Sequence, residues 1–196
     1  MRAGELGGVI LVGRWTPREM AATTRQLHAA GCAIGRPILL LVDQEGGWAR
    51  RLTWAAPAQT ARELGRLGPA RTRAEASATA TALRAVGIDV DLAPVSDTLR
   101  SGGFLSSRTF GSEPAKVGNL VTAFIRALQA GRIAATAKHF PGLGAPIRTP
   151  TTTPSRSRSP TSTRSGARSP RARSSSWSRT PPTPRSTTAA RPPRCV

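Results

Sequence analysis

No acidic residue follows Glu113 in this 196-residue chain; all ten aspartates and glutamates lie at or before it. A carboxylate acting as acid, base or nucleophile can therefore come only from the front of the chain. Cysteine is scarce as well, with Cys32 and Cys195 alone. Two such residues make no metal-binding spacing and cannot staple a chain of this length. Cys32, beside Gly31, reads as an inert and partly buried thiol. No apolar run approaches the roughly 20 residues of a membrane span. The opening MRAGELGGVILVG lacks the charged, apolar and small-residue segments of an export signal, so the chain as written reads as cytoplasmic. It enters a strand almost at once, which points to a missing upstream piece, and an exported or lipoprotein parent would carry its signal there.

The net charge of +19 is unevenly spread. Residues up to Pro146 carry +8, while Ile147–Val196 carries +11 from eleven arginines, with no lysine and no acid. A basic chain invites a nucleic-acid partner, but here most of the excess is one compositional block. That block is Thr, Ser, Pro and Arg, with Trp177 its only aromatic and Ile147 and Val196 its only bulky aliphatics. It cannot bury enough apolar surface to offset its ordering entropy, and it is expected to be disordered. With almost no rings for bases to stack on, it predicts salt-sensitive sticking to polyanions and no specific nucleic-acid partner. If its codons end in G, reading from each third base turns Ser155–Ser165 into a run of alanine, valine and aspartate. Residues after about Ala145 therefore read as a shifted frame.

The front part alternates strand and helix. Gly8–Val12 and Ile38–Val42 are short apolar runs without alternation, the pattern of strands buried on both faces. Ile88–Leu92 and Ile133–Ala137 repeat it. Between the first two, Thr16-Pro17-Arg18-Glu19 is a capping box with proline at the first helical position. That helix is expected to run to Ala30 on a face of Met20, Leu27 and Ala30, with Gly31 as left-handed cap. Further helices are predicted over Ala58–Arg66, over Pro69–Val86 closed by Gly87, and over Glu113–Ala130 capped by Ser112. The last has an inner stripe of Val117, Leu120, Val121, Phe124 and Leu128.

Every polar cluster follows a strand. This predicts an α/β fold with a parallel sheet, and specifically a partial (β/α)8 barrel of the TIM type with about half its strands present. A doubly wound nucleotide binder would show a glycine-rich turn between its first strand and helix, and Gly13-Arg14-Trp15-Thr16 is not one. No cofactor is implied. Half a barrel would leave two strand edges and an apolar interior uncovered, a route to self-association. On this reading residues 4–146 are the barrel part and 147–196 the tail.

The strand-end groups are Asp43 with Arg51, Asp97, Arg108, and Lys138 with His139. In a barrel they converge on one face. A carboxylate, two guanidiniums, an ammonium and an imidazole suit a ligand dense in hydroxyls. Phosphate would satisfy the cations but not Asp43, so a sugar is the better candidate.

Four ordered motifs, VDQEGG with Arg51 eight positions after Asp43, DLAPVSD, SSRTFG and AKHFPGLG, closely resemble the N-terminal barrel of family 3 glycoside hydrolases. The branch that looks nearest is the bacterial β-N-acetylhexosaminidases that trim cell-wall sugars, and the resemblance covers roughly Gly4–Ala145. It implies that Asp43, Arg51, Arg108, Lys138 and His139 bind substrate sugar and that Asp97 is structural. Trp48 stands where relatives often carry arginine. The family hydrolyses terminal β-linked sugars with retention, through an aspartate nucleophile on a late strand and, in this branch, a histidine acid/base shortly after KHFPG. Neither has a counterpart here, so no catalytic residue is assigned and the chain is expected to be inactive, unlike its full-length parent. A β-glucosidase-type member of the same family, and a basic-tail module binding nucleic acid or anionic surfaces, are the rival readings. A phosphate-sugar isomerase fits the fold but not the ordered motifs.

Overall fold

Each apolar run read as a strand becomes one, and helices carry the chain back so that all four point the same way. In the computed structural model residues 6–99 and 105–143 are described. Their order is β1 (Gly8–Ile10), α1 (Pro17–Ala33), β2 (Leu39–Val42), β3 (Gln44–Gly46), β4 (Ala49–Arg50), α2 (Ala61–Leu67), α3 (Pro69–Ala85), β5 (Val90–Asp91), α4 (Pro114–Ala130) and β6 (Ala134–Ala135). The parallel sheet runs β1-β2-β5-β6, with Val9 beside Leu40, Leu41 beside Val90 and Asp91 beside Ala135. The expectations for Ile147–Val196, including its disorder and its reading frame, lie outside the described residues.

Local chemistry sets the helix starts. Thr16 Oγ1 accepts from the Glu19 amide at 3.3 Å while Glu19 Oε2 accepts from the Thr16 amide at 2.9 Å. Thr60 and Glu63 repeat the device for α2, at 3.2 and 2.7 Å. Both pairs satisfy amides that a helix end would otherwise leave without partners. Gly87, at φ 74°, turns the chain out of α3 as expected.

Four expectations are corrected. Gly31 lies inside α1, not at its cap; an added Cβ would meet Arg36 O at 2.8 Å, so this glycine serves a close approach, and Gly35 takes the left-handed turn at φ 66°. Ala30 is exposed, and Thr24 occupies the buried face instead, donating to Val86 O at 2.6 Å. The N-cap of α4 is Glu113, not Ser112. Cys32 is half-buried but does not stand as a free thiol.

The core fills the space between one sheet face and the helices. Leu40, Val42, Met20, Leu83, Leu120 and Leu128 are wholly buried there. The predicted stripe of α4 is buried at every position, and the Phe124 ring packs on Phe110 with centroids 6.4 Å apart. The opposite face corrects the reading of these runs as buried on both faces and matches the uncovered interior expected of half a barrel. Ile10 and Leu39 are about half exposed, at 53% and 54%, and Ala134 is exposed too, so these strands are covered on one face and open on the other. In a closed barrel that face would pack against strands across the interior.

Candidate functional site

Val42 ends β2, and the chain then folds back on itself as a hairpin that the sequence pattern did not predict. Strands β3 and β4 pair antiparallel, Gln44 with Arg50 and Gly46 with Ala49. Gly46 and Gly47 hold φ values of 110° and 57°, and a Cβ on either would overlap Gln59 O or the Thr60 methyl. Glycine is therefore required twice, for conformation and for contact with the start of α2. Gln44 locks the hairpin from within: its Nε2 donates to Leu52 O and Ala56 O at 3.0 and 2.9 Å, and its Oε1 accepts from the Leu52 amide at 3.0 Å.

Asp43 and Glu45, two residues apart in extended chain, reach the same partner. Lys138 Nζ lies 2.7 Å from Asp43 Oδ1 and 2.7 Å from Glu45 Oε1. Arg108 closes a fork on Glu45, with Nε to Oε2 and Nη2 to Oε1 both at 2.7 Å. Glu45 is thus a hub between an ammonium and a guanidinium, its side chain only 4% exposed. The Glu45 carboxylate, acting chiefly by hydrogen bond, outweighs burial and holds the Arg108 guanidinium still further above its ordinary pKa. Arg51 stands farther out, Nη2 at 3.9 Å from Asp43 Oδ2 and nearly half exposed.

The backbone under Lys138 is fixed to the β5 loop. Its amide donates to Pro94 O at 3.1 Å, and its carbonyl accepts from the Ser96 amide and hydroxyl at 2.7 and 3.0 Å. His139 follows, joined by a cis peptide. Its amide and its Nδ1 both approach Asp97 Oδ2, at 3.1 and 2.8 Å, and the Leu143 amide donates to Asp97 Oδ1 at 2.8 Å. Burial works against the charge on Asp97, but these bonds from His139 and Leu143 prevail and keep its carboxyl below the usual aspartate range. Asp97 is an anchor for the 138–143 turn, and the Nδ1 bond fixes the orientation of the His139 ring.

Of the sequence-predicted residues, Asp43, Lys138 and Arg108 meet around Glu45, Arg51 flanks Asp43, and His139 sits next in the chain with its ring held by Asp97. Glu45 was missed as a partner of both cations, although its two-residue spacing from Asp43 at a strand end was the available signal. Asp91 was missed as well. It is wholly buried, with Oδ1 accepting from the Gln44 amide at 3.0 Å and Oδ2 lacking a partner. Burial above all raises its pKa well beyond the usual value; the Gln44 amide and Lys138 oppose this, and Asp43 and Glu45 add to it. Among the described residues no group of three or more His, Cys, Asp or Glu is placed to hold a metal ion.

Such a cluster offers a partly exposed charged acceptor, Asp43, flanked by cationic donors. It can accept from neighbouring hydroxyls on one side and donate to ring and hydroxyl oxygens on the other. The chain as a whole is similar to known proteins. The family model described as Glycosyl hydrolase family 3 N terminal domain matches residues 1–163. A Beta-hexosaminidase of Xanthomonas campestris is 37% identical over 150 residues, covering 71% of this chain and 44% of its own length. The crystal structure of Beta-N-acetylhexosaminidase from Beutenbergia cavernae is 34% identical with a TM-score of 0.62, over 71% of this chain and 46% of that one. NagZ from Neisseria gonorrhoeae in complex with N-trifluoroacetyl-D-glucosamine is 26% identical with a TM-score of 0.60, over 69% and 43% respectively. This chain therefore spans less than half the length of each of these three proteins.

Proposed function

The chain belongs to glycosyl hydrolase family 3, with its parallel strands part of that family's TIM-barrel-like fold, and from this premise we propose that its strand-end cluster binds the terminal sugar of a β-N-acetylhexosaminide. Residues 4–146 are the barrel part on this reading, and a full-length parent hydrolyses the glycosidic bond with retention. The chain itself binds without cleaving.

One observation carries the assignment. Among the described residues, Asp43 is bonded to Lys138 through one oxygen and its other oxygen has only the distant Arg51, while 27% of the side chain is open. A carboxylate that keeps acceptor capacity at the mouth of a cluster is what a pair of sugar hydroxyls requires. Lys138, shared between Asp43 and Glu45, and Arg108, held by Glu45, supply the donors. His139 adds a ring nitrogen whose orientation Asp97 fixes, and Arg51 stands at the rim. The Neisseria relative, described in complex with an N-acylated glucosamine, supports the same class of ligand.

Binding tests this directly. The purified chain, titrated calorimetrically with N-acetylglucosamine, is expected to bind it, and Asp43→Asn to weaken binding about tenfold or more, the value of hydrogen bonds to a charged group. Equal affinity for the two proteins would remove Asp43 from the site and the sugar reading with it.

A further inference from the structure

Trp48 has no part in the cluster described above, yet it stands beside it. It lies at the tip of the β3–β4 hairpin and is 70% exposed, so most of an indole faces water. The ring is nevertheless held: Nε1–H donates to Ser107 Oγ at 2.8 Å. Ser107 immediately precedes Arg108, and Arg108 forks onto Glu45 of the same hairpin at 2.7 Å. The hairpin and the 105–111 turn are therefore joined twice, inside by a nearly buried ion pair and outside by the indole. Phe140 is more exposed still, at 97%, but a phenyl ring has no N–H by which to be pinned.

We propose that Trp48 is a stacking platform for a second sugar, an outer subsite next to the Asp43–Lys138–Arg108 cluster that receives the next residue of a β-linked N-acetylhexosamine oligosaccharide. This rests on the sugar-binding reading above and extends it. The physical case has three parts. A β-linked pyranose with equatorial substituents shows C–H bonds on its faces, and the electron-rich face of an indole attracts them. Because the hydrogen bond to Ser107 already fixes the ring, little side-chain freedom is left to lose on binding. Finally, the inner groups that hydrogen-bond a first sugar are largely covered, so a ring exposed at their outer border is placed for the sugar that follows. An anionic ligand would gain nothing from that electron-rich face.

The test uses the full chain with its four tryptophans replaced biosynthetically by 5-fluorotryptophan. The Trp48 fluorine signal is assigned from Trp48→Phe, and the chain is titrated with N-acetylglucosamine and its β-1,4-linked disaccharide. The disaccharide is expected to bind roughly three- to tenfold more tightly than the monosaccharide, and to move the Trp48 signal. Trp48→Ala is expected to bring the disaccharide to the monosaccharide's affinity and to leave the monosaccharide within about twofold. A disaccharide preference that survives Trp48→Ala, equal affinities for the two sugars, or a Trp48 signal unmoved at saturation each overturns the subsite. If monosaccharide binding still responds to Asp43→Asn in that case, only the subsite falls. If neither sugar binds, or Asp43→Asn changes nothing, the sugar site falls and the subsite with it.

Discussion

Glu45 and Asp43 show what a residue's identity can and cannot reveal. Asp43 and Lys138 were legible because a charge directly after an apolar run has few uses in a parallel sheet, and Arg108 because it stands in the SSRTFG motif. Which charge pairs with which was not, since Arg108 lies 63 positions from Glu45 and no local pattern encodes that contact. Asp91 was hidden for a different reason: in sequence it is one more polar residue in a short strand, and only its complete burial sets it apart. That burial has a consequence in pH. With its folded pKa raised, Asp91 keeps a proton in the folded chain over a range where the unfolded chain, with a pKa of about 3.9, has released it. The folded state then binds more protons, so stability falls as pH rises through that range. Asp91→Asn keeps an oxygen for the Gln44 amide and cannot ionise. It is expected to be more stable than the parent chain at neutral pH, with the gap closing as pH falls toward about 4. Urea unfolding at several pH values checks this, and a variant less stable at neutral pH and not at acid pH would reverse the assignment.

At the scale of elements, helices were legible and the hairpin was not. Thr16 with Glu19 is spaced to cap a helix whatever the rest of the chain does, and it does so; Thr60 with Glu63 repeats the spacing and makes α2 begin at Ala61, three residues after the Ala58 expected. The QEGGWAR stretch has no apolar alternation, so its two short strands are fixed by Gln44 and by contact with the start of α2, which no pattern within the stretch reveals. Glycines make a related contrast. Gly65 on α2 faces the 105–111 turn, and an added Cβ would overlap Phe110 O, two residues beyond Arg108. Gly118 on α4 is exposed, with nothing within 4 Å of an added Cβ. Gly65→Ala is expected to cost about 1–3 kcal/mol by overpacking and to weaken sugar binding by displacing Arg108. Gly118→Ala is expected to add about 0.5–1 kcal/mol by helix propensity. Denaturation midpoints for the two variants decide it, and equal effects of the same sign would refute the packing account.

For the whole molecule, the parallel architecture followed from four strands alternating with helices, and the open second face from their making only half a barrel. Ile10 and Leu39 belong to runs with the composition of strands buried on both faces, yet they are about half exposed on the open one. The same incompleteness appears in the chemistry. Retaining hydrolysis needs a nucleophile at the anomeric carbon and a proton donor at the leaving oxygen, usually two carboxyls about 5–5.5 Å apart. The described carboxylates are otherwise engaged: Glu19 and Glu63 cap helices, Glu75 pairs with Arg71, Asp89 bonds the Leu40 amide, and Asp97 anchors His139. Asp91 is sealed from solvent and Glu45 nearly so, while Glu113, at the N-cap of α4 without a side-chain cap hydrogen bond, takes no part in the cluster. That leaves Asp43 as the one described carboxylate both open and at the strand ends of the cluster, and one carboxylate cannot stand on both sides of a bond. Purified chain is therefore expected to give no turnover of p-nitrophenyl N-acetylglucosaminide, even at concentrations where N-acetylglucosamine binds. Turnover that Asp43→Ala abolishes would mean instead that Asp43 attacks while His139, oriented by Asp97, delivers the proton, and loss of that turnover in His139→Ala would complete the proof against the binding-only reading.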